Sequence, residues 1–530
     1  MTRYISSIHF TKRLSLVLSW FIFTNVSSFA ADESKPDIVV ILADDMGYSD
    51  LGCMGSEIKT PNLDTLAKEG LRFIQFYNSM RCVPTRSSLL TGLYHHQAGL
   101  GGWVTRSERP GYLGHLSENS VTIAEVLRDK GYHTAMAGKW HVTPYDYSDK
   151  PDLHRASWPL QRGFDQFFGT LAGGGNYYNP KSLMRGNEFI QVDEHFYYTH
   201  AISDGAATFI DQAPKEKPLF LYIAHVAPHW PLHALPEDIA KYEGVYDVGW
   251  DSIRETRHAR MKEIGILAPD TPLSPRDPKV RAWKDAPHKE WEARRMATYA
   301  AQIDSMDQGI GSVIEALKRR GRFDNTVIFF LSDNGSSDEV INGENTRHGT
   351  FAQGGTRPDV MPGSKDTYAS GGKGWANASN TPFRQYKKWT QEGGIATPLI
   401  VHWPKGITAK GKIRHQVGHV IDIMATAIDL AGATYPSEHN DHEIISLEGI
   451  SLRPSFTDHP LKREALYWEH QGQRAIRSGD WKLVGNHKNW KLYDLKADPI
   501  ESQDLSAKHP DRAKSMAAMW EAWAKRSLVK

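Results

Sequence analysis

Residues Asp37-Ile38-Val39-Val40-Ile41-Leu42-Ala43 form an unbroken apolar run that stops at Asp44-Asp45. A half-exposed strand would alternate polar and apolar residues, so this run reads as a strand buried on both faces. Similar runs return at Leu71 to Tyr77, Tyr132 to Ala137, Pro218 to Ala224, Thr326 to Leu331 and Pro398 to Trp403. Helix signals lie between them. Thr60-Pro61 opens a helix that Gly70 closes, Val121 to Lys130 is amphipathic and ends at Gly131, and a long helix spans about Ala293 to Arg320. Strands alternating with helices predict an α/β chain with a large, mostly parallel sheet flanked by helices.

In such sheets ligands bind beyond the carboxyl ends of the strands. Asp44 and Asp45, Lys139 and His141, His229, and Asp333 and Asn334 each fall just after a strand end. Topology therefore predicts that residues scattered over three hundred positions meet at one edge.

From about Pro436 the texture changes to short strands separated by turns: Ala465 to His470, Gln473 to Arg477, Trp481 to Val484 and Trp490 to Tyr493. A closing amphipathic helix follows from Ala507 to Ser527. These predict a small C-terminal antiparallel sheet with one helix, residues 436–530, after a catalytic domain at 31–435. Trp140 to Gln212, Pro231 to Trp291 and Asp338 to Thr381 lack clear periodicity and read as long loops that shape binding.

The formal net charge of +1 disfavours a nucleic-acid groove. Arg3, Lys12 and Arg13 precede an interrupted apolar run, Leu14 to Val26, and then Ser28-Phe29-Ala30. The run is too short for a stable membrane span, and predicts a secretory signal cleaved near Ala30, with an uncleaved anchor as the alternative. Export to the periplasm or outside the cell would permit disulfides, but Cys53 and Cys82 are the only cysteines. Pairing them would consume the one thiol placed for chemistry.

That thiol stands in Cys82-Val83-Pro84-Thr85-Arg86, at the start of a predicted helix. Helix N-termini collect anions and lower a cysteine's pKa, so the stretch reads as a nucleophile aimed at an anionic group. A cysteine phosphatase would need its Arg farther along, where Ser88 stands instead. Asp44, Asp45, Asp333 and Asn334 are hard oxygen donors suited to Ca²⁺ or Mg²⁺. Arg86 and Lys139 add positive charge, and His141 and His229 are candidates for acid–base work.

Cys82-Val83-Pro84-Thr85-Arg86 followed by Leu90-Thr91-Gly92 resembles the signature of type I, formylglycine-dependent sulfatases. The likeness extends through Ile38 to Gly47, Gly138-Lys139-Trp140-His141, Ala227 to Pro231, Leu331 to Gly335, Glu392-Gly393-Gly394 and Arg474 to Val484, closest to bacterial arylsulfatases. The resemblance implies an alkaline phosphatase-like fold and hydrolysis of a sulfate monoester to an alcohol or phenol plus sulfate. It also implies that a formylglycine-generating or maturase enzyme converts Cys82 to 3-oxoalanine. One hydroxyl of the hydrated aldehyde would attack sulfur, and the other, deprotonated by His141, would expel sulfate. Asp44, Asp45, Asp333, Asn334 and residue 82 match the ligands of one Ca²⁺. Arg86 and Lys139 match sulfate-binding groups, and His229 and Lys387 match residues near the leaving oxygen. Lys388 is adjacent to Lys387, and Thr85 stands where many members have Ser.

Two alternatives are a phosphonate or phosphate ester hydrolase on the same fold and a catalytically silent glycan-binding homologue. A sulfated small molecule or glycan is the expected substrate. Trp230, His233, Tyr177, Tyr178 and Trp375 are the expected liners of its site.

Overall fold

The computed structural model describes residues 35–145, 151–341, 345–346, 349–350, 353–487 and 489–530. The segment read as an export signal lies outside them. Strand β1 (Asp37–Ala43) sits inside an eleven-stranded sheet. Val39, Ile41 and Ala43 enter one apolar cluster while Ile38, Val40 and Leu42 enter the other, so the unbroken run is used on both faces. In chain order the sheet continues with β2 (Leu71–Tyr77), β3 (His133–Lys139), β4 (Gln166–Thr170), β5 (Leu183–Arg185) and β6 (Glu188–Phe189). Then come β7 (Leu219–Ala224), β8 (Thr326–Ser332), β9 (Ala396–His402), β10 (Lys412–Arg414) and β11 (Gly418–His419).

The spatial order is β10-β2-β9-β8-β1-β7-β3-β4-β5-β6, with β11 also on β2. The central run from β8 to β4 is parallel throughout. Strand β9 runs antiparallel to both its neighbours, and β5 and β6 end the sheet antiparallel.

Helices α1 (Pro61–Glu69), α2 (Cys82–Thr91), α3 (Ile123–Asp129), α4 (Tyr198–Gln212), α5 (Lys289–Arg319) and α6 (Ile421–Ala431) cover the sheet. Residues of α1, α4 and α5 pack on one face and those of α2, α3 and α6 on the other. Helix α3 begins later than its apolar pattern because Thr122 caps it. Glu125 N donates to Thr122 Oγ1 at 3.1 Å and Thr122 N donates to Glu125 Oε2 at 2.7 Å, a reciprocal pair that fixes the first turn.

The second sheet is the antiparallel set β12 (Leu466–His470), β13 (Gln473–Ser478), β14 (Trp481–Gly485) and β15 (Trp490–Asp494). Helix α7 (Pro510–Arg526) lays Trp520 and Trp523 against it. The sheet grips the segment leading to Cys82. Trp468 Nε1 donates to Asn78 O at 2.8 Å, and Lys482 sits between Glu392 at 2.6 Å and Glu501 at 2.9 Å. Tyr77 Oη donates to Glu392 Oε2 at 2.8 Å.

Two stretches read as aperiodic are partly regular. Trp140 to Gln212 holds β4, β5, β6 and α4, and Pro231 to Trp291 holds the helix Gly249–Glu263. Among the described residues no helix is long and apolar enough to cross a membrane.

Candidate active site

Parallel pairing brings the strand ends together. Ala43 lies opposite Ser332, Leu42 opposite Ala224, and Ala224 opposite Gly138. The chain then leaves each strand with its polar pair: Asp333 N donates to Ala43 O at 3.0 Å and Asp44 N to Ala227 O at 3.1 Å. Asp44, Asp45, Lys139, His141, His229, Asp333 and Asn334 are all buried at this edge.

Cys82 is the first residue of α2, after Arg81 in extended backbone, and both cysteines are free thiols. The expected lowering of its pKa does not occur. Burial pushes the thiol up, beyond what Lys139 and Lys387 recover, with Asp44 and Asp333 adding to the rise. Desolvation outweighs the helix field, so a plain thiolate is disfavoured here. Thr85, one turn on, locks this helix start to the strand edge. Its hydroxyl donates to Asp333 O at 2.6 Å and accepts from Ser79 N at 2.9 Å. Serine would supply the same two bonds.

The charges form one network. Arg86 Nη2 lies 3.0 Å from Asp333 Oδ2 and 3.2 Å from Asp44 Oδ2, and Lys139 Nζ also bonds Asp44 Oδ2. Lys387 Nζ holds Asp45 Oδ1 at 2.8 Å, and Asn334 Nδ2 donates to the same oxygen at 2.6 Å. Of the two adjacent lysines, Lys387 is buried and reaches the site, while Lys388 is 41% exposed and faces Asp338. Burial opposes charge on Asp44, but Lys139, His229, Arg86 and Lys387 outweigh it and hold the carboxyl below the usual range. Asp333 goes the other way. Burial and repulsion from Asp44, only partly offset by Arg86, push its pKa up to about 8.

These residues fit a hard cation. Among the described residues, Asp44 Oδ1 and Asn334 Oδ1 are buried without a hydrogen-bond partner. Atoms from Asp44, Asp45 and His229 lie within 4.8 Å of one another. The raised pKa of Asp333 marks a carboxylate set short of positive charge, which a divalent ion would supply.

Cys82 opens into a cavity of about 420 Å³, lined also by His141, His229, Lys387, Arg81 and Glu339. His229 Nδ1 lies 2.6 Å from Trp230 O, which only accepts, so Nδ1 carries the proton and Nε2 faces Asp45 Oδ2 at 3.6 Å. The His141 ring is packed against the backbone of Gly173. Of the liners expected from sequence, Trp230 alone lines this cavity. Tyr177 is buried behind it, donating to His229 O at 2.7 Å. Tyr178 donates to Ala234 O at 3.0 Å, and His233 Nε2 lies 2.7 Å from Thr367 O. Trp375 donates to Glu292 O at 2.8 Å. Arg81, Trp103 and Glu339, which no motif singled out, take their place. Arg81 is legible only as the neighbour of Cys82.

Fold and site together define an α/β protein in which Cys82 faces a cradle of cations and oxygen donors suited to an anionic ester. The chain matches the sulfatase family over residues 36–433 and the N-sulphoglucosamine sulphohydrolase C-terminal family over residues 383–526. It is 35% identical over 440 residues to the arylsulfatase of Klebsiella aerogenes, covering 80% of this chain and 92% of that one. It is 33% identical over 536 residues to an uncharacterised sulfatase of Schizosaccharomyces pombe, covering 92% and 93%. The crystal structure of Ps i-CgsB in complex with k-i-k-neocarrahexaose superposes with a TM-score of 0.66 at 28% identity, over 92% of this chain and 93% of that one. The protein belongs to the sulfatase family and is a sulfuric ester hydrolase of the alkaline phosphatase-like fold.

Proposed function

We propose that the protein is an exported sulfatase that removes sulfate from a sulfated sugar, using a formylglycine made from Cys82 and one calcium ion. The observation that carries this reading is the placement of Cys82, buried at the start of α2 on the cavity, beside Lys139 and Lys387. Calcium on Asp44, Asp45, Asp333, Asn334 and residue 82 would draw charge off the sulfate oxygens, and the hydrated aldehyde would supply the attacking oxygen and a second hydroxyl for release.

The chain's own residues do the rest. Arg86, fixed by Asp44 and Asp333, holds the start of α2 in register with the strand ends. Lys139 and Lys387 place positive charge around the sulfate. His229, with Nδ1–H tied to Trp230 O, acts as proton donor to the leaving oxygen from Nε2 in its imidazolium form, which Asp45 Oδ2 at 3.6 Å favours against burial. His141 takes the proton from residue 82. Burial of these groups excludes bulk water and strengthens each interaction. The k-i-k-neocarrahexaose held by Ps i-CgsB supports a sulfated glycan rather than a simple aryl sulfate as substrate. Arg3, Lys12, Arg13 and the Leu14 to Val26 run support export.

The test is sulfate release by protein produced alongside a formylglycine-generating enzyme, with an aryl phosphate as the competing substrate. Sulfate esters should be preferred, Cys82→Ala should release none while retaining its fold, and the peptide holding residue 82 should carry the aldehyde mass. Full activity in protein whose residue 82 is wholly thiol would sink the mechanism.

A further inference from the structure

One wall of the cavity is not used by sulfate transfer. Arg81 lays its guanidinium 4.2 Å from the ring centre of Trp103, and its Nη2 pairs with Glu339 Oε1 at 2.8 Å. The other carboxylate oxygen, Glu339 Oε2, accepts from Trp230 Nε1 at 2.9 Å. Trp103, Arg81, Glu339 and Trp230 therefore form a continuous chain, and all of them line the cavity with Cys82. They come from four separate segments, so only the folded chain builds this wall.

Its charges cancel. Arg81 is matched by Glu339, and Lys387 lies 2.8 Å from Asp45 Oδ1 and 3.8 Å from Glu339 Oε2. Among the described residues, no lysine or arginine lining the cavity is without a carboxylate partner. The liners Thr143, Tyr145, Leu171 and Ala172 are uncharged. Burial opposes charge on Glu339, but Lys387 and Arg81 outweigh it and hold the carboxyl ionised, so it remains a strong acceptor.

We propose that Trp103, Arg81, Glu339 and Trp230 form the leaving-group subsite, and that it takes a sulfated pyranose carrying no second charge. The inference rests on the sulfatase reading above. The indoles pack on the apolar faces of the sugar ring, Glu339 accepts from a ring hydroxyl, and Arg81 donates to another. A uronate or second sulfate on the same ring would have to break the Arg81–Glu339 pair to find a cation, leaving Glu339 only the more distant Lys387, already held by Asp45.

Binding to Cys82→Ala protein, measured by calorimetry, removes any dependence on conversion of residue 82. Galactose 4-sulfate or galactose 6-sulfate should bind at least tenfold tighter than glucosamine 2-N,6-O-disulfate. Adding Glu339→Gln or Trp103→Ala should weaken the galactose sulfate at least tenfold, and in active enzyme should lower kcat/KM for it at least tenfold more than for nitrophenyl sulfate. Equal or tighter binding of the disulfate overturns the proposal. So do equal losses on sugar and aryl esters, which would make the wall structural only. Turnover of nitrophenyl sulfate without binding of either galactose sulfate defeats this subsite and spares the sulfatase reading. Failure on every ester by aldehyde-bearing protein defeats both.

Discussion

Gly173 sets the orientation of the proposed base, and Gly173→Ala is the sharpest test of that role. A methyl group at residue 173 would stand 2.0 Å from His141 Cε1 and 2.1 Å from His141 Nε2. Ordinary contact begins near 3.4 Å, so the imidazole must retreat by about 1.4 Å. Gly173 does not adopt the left-handed backbone, so alanine adds no conformational strain there. The obstacle is also the end of a side chain bordering a cavity, which can move at little cost to the fold. Stability should therefore change by less than ~1 kcal/mol. Catalysis should not be spared. A displacement on the order of 1 Å of a reacting group costs about a hundredfold in rate, or roughly 2.7 kcal/mol of transition-state stabilisation. Steady-state sulfate release should show kcat reduced about a hundredfold, with KM and the urea midpoint close to wild type. A kcat within threefold of wild type would refute the assignment of His141 as base. A large loss of stability would refute the claim that its ring is free to yield.

Asp333→Ala should lower bound calcium and activity together, because a proposed ligand and the partner of Arg86 are lost; unchanged calcium stoichiometry by atomic emission would remove Asp333 from the proposed ligand set. Thr85→Val should cost about 2 kcal/mol in urea unfolding, since two buried hydrogen bonds disappear, whereas Thr85→Ser should be close to neutral. Lys482→Met should cost about 3–5 kcal/mol, because Glu392 and Glu501 would be left facing each other in a buried site. A loss below 1 kcal/mol would show that water reaches that network.

The centre of the fold was legible because β1, β7 and β8 carry unbroken apolar runs (Ile38 to Ala43, Leu219 to Ala224, Val327 to Leu331), a texture only a doubly covered strand explains. Strand-end logic then placed Asp44, Lys139, His229 and Asp333 together without reference to any relative. Strand β4 escaped notice because Gln-Phe-Phe-Gly-Thr is short and carries a glycine where β3 approaches closely. Helix α4 was masked by Gly205 and by its aromatic, polar start. Trp375 and Tyr177 looked like exposed liners because nothing local marks an aromatic residue as buried; their polar tips are satisfied by main-chain carbonyls behind the site. Glu339 lies in a loop with no period, and only its tertiary partners reveal it. The thiol pKa was misjudged because a helix start is visible in sequence whereas desolvation is not.

The burial of Cys82 also fixes an order of events. Asp333 and Lys387, whose charges act on it, lie far downstream, and in the finished fold the residue is 2% exposed. At roughly 5–20 residues per second of synthesis, the 251 positions between Cys82 and Asp333 correspond to about 13 to 50 s during which the signature is made but cannot yet be enclosed. Any enzyme that converts this thiol must act within that interval or while the chain is held open. On the proposed mechanism, a chain that closes first would keep its thiol at the floor of the cavity.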